Sequence, residues 1–282
     1  MMHVEKINLY DHFGLPCPEH GHGELTCLCL HTPEEMHCNR RRPAVLVIPG
    51  GAYAMVSQRE AEPIALRFMN RGYVAFVLRY AVKPAVFPTA LREAAMAMRY
   101  IRENCDVFEV DPKMVAAIGF SAGGHLCGTL GTMYDCPEVA DIGPGELIRP
   151  DALGLCYPVA VAWGKTHTGS FKNISGGDEK LALRLSVDKQ VRPDMPPVYI
   201  WHTRNDEGVP VRNSLVLSEA LAEAGVDFAM QICHSGKHGL ATADLLAYTT
   251  HKMPPISGDI FGWEDRMIAF FGECGLTIQD EE

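Results

Sequence analysis

Val115-Ala116-Ala117-Ile118-Gly119-Phe120-Ser121-Ala122-Gly123-Gly124 is the stretch that decides the fold of this chain. The apolar run predicts a strand, and the residues from Gly124 onward predict a helix. Between them, Gly119-Phe120-Ser121-Ala122-Gly123 has the G-x-S-x-G spacing of a sharp strand-to-helix turn. Such a turn lifts the serine hydroxyl clear of the sheet. Its glycines keep side chains out of the space where strand and helix nearly touch. A serine placed this way needs a base, a partner that orients the base, and donors for an oxyanion.

On either side of this turn, apolar runs predict further strands at Ala44–Ile48, Tyr73–Tyr80, Asp151–Tyr157, Val198–His202 and Asp227–Cys233. Helical spacing is read over Glu60–Asn70, from Pro88 through Ile101, over Val211–Ala224 (closed by Gly225) and over Trp263–Glu273. Strands alternating with helices predict an α/β fold: a mostly parallel central sheet with helices on both faces. Ligands in such sheets sit at the carboxyl ends of the strands, which is where Ser121 falls. With no repeat and no linker, residues 1–282 read as a single domain. Residues 1–43 supply N-terminal strands or a hairpin. Residues 163–190 are polar and glycine-rich, and predict a small cap or substrate loop.

Composition narrows the partners. The net charge is -10 and no basic run exceeds Arg40-Arg41-Arg42, which argues against nucleic acid or an anionic membrane surface. Met1 to Asn8 carries no apolar leader, and no apolar stretch is long enough to span a bilayer. Ten scattered cysteines fit reduced thiols better than a disulfide framework, so a cytoplasmic location is expected. Cys17, His20, His22, Cys27, Cys29, His31, His37 and Cys38 lie close together, but without paired metal-binding half-sites. Leu25 to Leu30 reads instead as a strand buried on both faces, and no metal is expected. The oligomeric state is open, a homo-oligomer included.

The partners of Ser121 should follow it in the chain, in loops just past later strands. Asp206 is the best-placed acid, in Thr203-Arg204-Asn205-Asp206-Glu207-Gly208 after the strand ending at His202. Asp178 and Asp188 are alternatives without a clear strand before them, and Glu207 is the immediate competitor. His238 is the best-placed base, in His234-Ser235-Gly236-Lys237-His238-Gly239-Leu240. His234 is its rival. His125 reads as a packing residue and His202 as part of its strand. Backbone N–H groups of Gly51, Ala52 and Ala122 are the expected oxyanion donors. Tyr53 is expected to line the acyl pocket, and Trp201 to join residues 163–190 in a cap.

Several ordered blocks resemble the α/β-hydrolase carboxylesterases, in particular the acetyl-xylan-esterase-like family related to the hormone-sensitive-lipase group. They are Pro49-Gly50-Gly51-Ala52-Tyr53, Gly119 to Leu126, Arg149-Pro150-Asp151-Ala152 with Tyr157-Pro158-Val159, Trp201 to Val211, and Gly236-Lys237-His238-Gly239-Leu240. The resemblance implies an α/β-hydrolase fold with Ser121 as nucleophile, Asp206 as acid and His238 as base. It also implies a cofactor-free serine esterase acting on short acyl esters, notably O-acetyl groups on sugars or xylo-oligosaccharides. One departure concerns the early loop: the lipase group usually carries His-Gly-Gly-Gly where this chain has Pro49-Gly50-Gly51-Ala52. Two alternatives stand beside this reading. One is a prolyl-oligopeptidase-like serine peptidase; the other is a non-catalytic hydrolase-like binding protein.

Overall fold

The computed structural model describes residues 1–281. Its framework is one sheet. The strands are β1 (Met2–Asn8), β2 (Glu24–Leu30), β3 (Asn39–Ile48), β4 (Val74–Arg79), β5 (Val110–Phe120), β6 (Ala152–Cys156), β7 (Val198–Thr203), β8 (Phe228–Cys233) and β9 (Gln279–Glu281). They lie in the order β1-β2-β4-β3-β5-β6-β7-β8, with β9 added against the start of β3. Pairing is antiparallel from β1 to β2 to β4 and parallel from β4 through β8. This is the α/β-hydrolase arrangement.

Residue parity along the strands builds two core layers. Leu46, Ile48, Phe76, Ala117, Leu155 and Ile200 face helices Thr89–Glu103, Ala122–Met133 and Arg212–Ala224. Val45, Val47, Val77, Ala116, Ile118 and Trp201 face helices Glu62–Met69 and Trp263–Glu273. Strands buried on both faces carry mostly apolar side chains, as in Ala44 to Ile48 and Val74 to Leu78, although β7 also buries His202 and Thr203. The edge strand β1 alternates exposed and half-buried residues instead.

Several segments differ from the sequence reading. β3 and β5 begin at Asn39 and Val110, ahead of the expected Ala44 and Val115, and the helix Leu9–Phe13 and strand β9 were not expected. The helix expected from Glu60 begins at Glu62, because Gln58–Glu60 forms a separate 3₁₀ turn. Residues 163–190 carry three short helices, Thr168–Ser175, Glu179–Arg184 and Val187–Gln190. The polar residues there are partly caps: Asp178 accepts from the N–H groups of Lys180 and Leu181, and Gly176 ends the first helix at φ 64°. The least regular stretch is instead 234–262, where only Gly258–Ile260 forms a 3₁₀ turn. Among the described residues, no helix is long and apolar enough to cross a membrane.

Candidate active site

β5 runs into Ser121, and the helix Ala122–Met133 leaves it. The turn between them forces Ser121 to φ 54°, ψ -117°, a conformation that costs energy in any residue with a Cβ. Surrounding bonds hold it there. Ser121 N–H donates to the Cys156 carbonyl at 3.0 Å, and its own carbonyl accepts from His125 and Val159 N–H at 3.1 and 3.0 Å. Glycine is obligatory on both sides. A Cβ on Gly119 would strike the Gly123 carbonyl, and one on Gly123 would strike the carbonyls of Ile48 and Pro49.

β7 delivers Asp206 to the same edge, and β8 delivers His238. Asp206 Oδ2 accepts from His238 Nδ1–H at 2.7 Å, and His238 Nε2 lies 2.7 Å from Ser121 Oγ. A carboxylate only accepts, so Nδ1 carries the imidazole proton, and Nε2 is left to accept from the serine hydroxyl. The other carboxylate oxygen, Oδ1, accepts from Gly208 and Val209 N–H, both at 2.8 Å. Burial pushes the Asp206 carboxyl up, but hydrogen bonds from His202 and His238, the His238 charge and Val209 N–H outweigh it. The net effect holds Asp206 well below the usual carboxylate range.

The loop after β3 passes beside the serine: a Cβ on Gly50 would lie 3.0 Å from Ser121 Cβ. Gly51, Ala52 and Tyr53 follow at φ 129°, 58° and 54°. Among the described residues, the N–H groups of Gly51, Ala52 and Ala122 have no hydrogen-bond partner. They are donors left free next to a serine hydroxyl. Helix Thr168–Ser175 covers this loop, with Asn173 Nδ2 donating to the Ala52 carbonyl at 2.8 Å.

Rival residues lie elsewhere. Glu207 and His234 are exposed, Asp178 caps a helix, and Asp188 accepts from Ser186 and from the Trp163 indole. Two aromatic expectations are corrected. Trp201 is fully buried, stacked on Trp263 at 5.2 Å with ring planes 25° apart, because its place in β7 turns it into the core layer away from residues 163–190. The Tyr53 ring is also buried, packed edge-on to Tyr80 and bonded through its hydroxyl to His125 Nδ1 at 2.7 Å. Both rings are almost entirely without exposed surface.

Other residues at the site had no assigned role in the sequence. Tyr157 stands edge-on to the His238 ring at 5.1 Å. Burial, and then the nearby His238, lowers the pKa of His167. Glu60 is a buried carboxyl bonded to the Gly50 loop. Tyr157, just past the end of β6, was open to discovery by the rule that locates sites at strand ends. Glu60 was not, because a glutamate before a helix reads as a solvated charge.

A family model described as BD-FAE matches residues 28–142. The crystal structure of an acetyl ester-xyloside bifunctional hydrolase from Caldicellulosiruptor lactoaceticus is similar with a TM-score of 0.77 at 34% identity, over 90% of this chain and 89% of that one. The chain belongs to the α/β-hydrolase carboxylesterases. Two curated relatives of this chain are longer proteins. It is 38% identical to endo-1,4-beta-xylanase B of Butyrivibrio fibrisolvens over 72% of its own length and 33% of the relative's. It is 28% identical to the acetylxylan esterase of Xylanibacter ruminicola over 84% of its own length and 47% of the relative's. The chain thus spans a third to a half of these relatives.

Proposed function

We propose that the protein is a serine carboxylesterase that removes short acyl groups, chiefly O-acetyl groups from sugars such as xylo-oligosaccharides. The observation that carries this reading is the unbroken chain from Ser121 Oγ through His238 to Asp206. Ser121 Oγ attacks the ester carbonyl carbon while His238 Nε2 takes its proton. The N–H groups of Gly51, Ala52 and Ala122 receive the charge that forms on the carbonyl oxygen. Asp206 fixes the imidazole and stabilises its cation. The C–O bond to the sugar then breaks, and the sugar oxygen takes the proton from His238. Water attacks the acyl carbon of acyl-Ser121 and gives its proton to His238. That proton returns to Ser121 Oγ as the carboxylic acid leaves.

The acetylated-sugar substrate is supported by similar proteins named as acetylxylan esterase and acetyl ester-xyloside hydrolase. All ten cysteines are unpaired, which supports a reducing cytoplasmic setting. The test combines fluorophosphonate labelling with rates on 4-nitrophenyl acetate, butyrate and octanoate, beside acetate release from acetylated xylo-oligosaccharides. Labelling, fastest turnover of acetate and acetate release are expected, all lost in Ser121→Ala. Octanoate as the fastest ester, or labelling that survives Ser121→Ala, would overturn the assignment.

A further inference from the structure

The reaction proposed above needs two loops in register: Pro49 to Tyr53, which offers donors, and Gly236 to Ala243, which carries His238. One buried carboxyl bridges them. Glu60 is 2% exposed and ends the 3₁₀ turn Gln58–Glu60. Its Oε2 accepts from Gly50 N–H at 2.9 Å, and its Oε1 accepts from the Tyr157 hydroxyl at 2.7 Å. Tyr157 Oη in turn accepts from Ala241 N–H at 2.9 Å. The adjacent Arg59 donates to the Gly239 carbonyl at 3.0 Å. A single turn of chain therefore holds the residue before Gly51 and, directly or through Tyr157, both residues flanking Leu240.

The choice of side chain is informative. Taking a carboxyl out of water costs stability, and its bonded partners here are neutral: one backbone amide and one phenol. Burial, with Glu60 beside it, holds the Tyr157 phenol well above its ordinary pKa, so its hydroxyl stays a donor. Two donors face the side chain, one on each oxygen. A glutamine fills the same space but offers only one acceptor, so its NH₂ group either opposes Gly50 N–H or turns the Tyr157 hydroxyl proton away from its present acceptor. A carboxylate of this reach accepts from both donors at once.

We infer that Glu60 is a positioning residue that couples the oxyanion donors of the Gly51 loop to the base His238 through Tyr157. The inference rests on the serine-esterase reading given above. Its test compares wild type, Glu60→Gln, Tyr157→Phe and the double variant. Three quantities are read for each: the phosphonylation rate of Ser121 by a fluorophosphonate, and kcat and KM on 4-nitrophenyl acetate. Thermal unfolding checks that each variant folds. Glu60→Gln should lower kcat and the phosphonylation rate about 100-fold, the scale of a small misplacement of reacting groups, with KM within about twofold. Tyr157→Phe should cost less, and the double variant should be no slower than Glu60→Gln, because both changes break one chain. A folded Glu60→Gln with unchanged kcat, a loss confined to KM, or losses that multiply in the double variant would overturn the coupling. If Glu60→Gln does not fold, Tyr157→Phe decides alone, since its ring stays and only the bridge is lost: unchanged rates overturn the coupling. Wild type that is phosphonylated but turns over no ester sinks the ester assignment and leaves the coupling to the phosphonylation rates. Wild type that is not phosphonylated overturns both.

Discussion

His202 points Nε2 at Asp206 Oδ2 from 3.4 Å, the same oxygen that accepts a hydrogen bond from His238 Nδ1–H at 2.7 Å. Its Nε2–H also lies 2.9 Å from the Val209 carbonyl, and its Nδ1 accepts from the Ser214 hydroxyl at 2.7 Å. The acid is therefore held between two imidazoles, one buried and one in the site. A depressed carboxyl pKa contributes stability that is present above the ordinary aspartate range and lost as pH falls through the depressed value. His202→Phe removes one of the bonds that depress it and leaves the Val209 carbonyl and Ser214 hydroxyl without their partner. We expect a loss of about 1–3 kcal/mol per orphaned group at pH 7, and acid unfolding that starts at higher pH. Urea melts across the acid range check both.

Asp206→Asn keeps the shape of the acid but favours the wrong imidazole tautomer. By the logic of serine triads, kcat should fall about 10⁴-fold. Glu207→Gln, one residue along and exposed, should leave kcat within about twofold, the scale of ordinary surface changes. Steady-state rates on 4-nitrophenyl acetate separate the two carboxylates.

Gly51 sits at φ 129°, and a Cβ there would run into the Met55 carbonyl. Gly51→Ala must therefore move the loop and its free N–H groups. Loss of a single such donor costs about 10²–10³ in kcat, and we expect a loss on this scale with KM little changed. Progress curves at saturating and limiting ester distinguish the two effects.

His125 is a buried imidazole whose Nε2–H donates to the Leu185 carbonyl at 2.8 Å, while Nδ1 accepts from the Tyr53 hydroxyl. Burial lowers its pKa from 6.5 to about 4. Between these values the unfolded chain takes a proton that the folded chain refuses, so stability falls as pH drops from 6.5 towards 4. At 1.36 kcal/mol per unit this amounts to about 3 kcal/mol. His125→Gln keeps one acceptor and one donor group in the side chain but cannot titrate. Its urea midpoints should fall less steeply than those of wild type over that pH range.

Most of the parallel strands were legible because they carry a local signal, an apolar run followed within a few residues by Gly, Pro, Asn or Asp; β9 carries none and was not read. Ser121 had its turn, and Asp206 and His238 had strand ends before them. The facing of individual side chains was not legible. In β7 both faces are buried, so nothing in Val198 to Thr203 says which core layer receives Trp201. Tyr53 is opaque for a similar reason, since a loop aromatic can turn inward or outward. Residues 163–190 looked irregular because helix caps and connections use the same Gly, Ser, Thr and Asp. Glu60 was hidden most fully, because a carboxyl that serves two buried donors has no local pattern to mark it.

Ser121 and His238 stand 117 residues apart in the chain, and they meet only where β5 and β8 end at one edge of the sheet. Between those strands lie β6 and β7, each paired to the next. The native hydroxyl–imidazole contact therefore depends on every one of these pairings. Recovered turnover during refolding would be a late clock, trailing any signal from the first helices, and it would report completion of the sheet's far side.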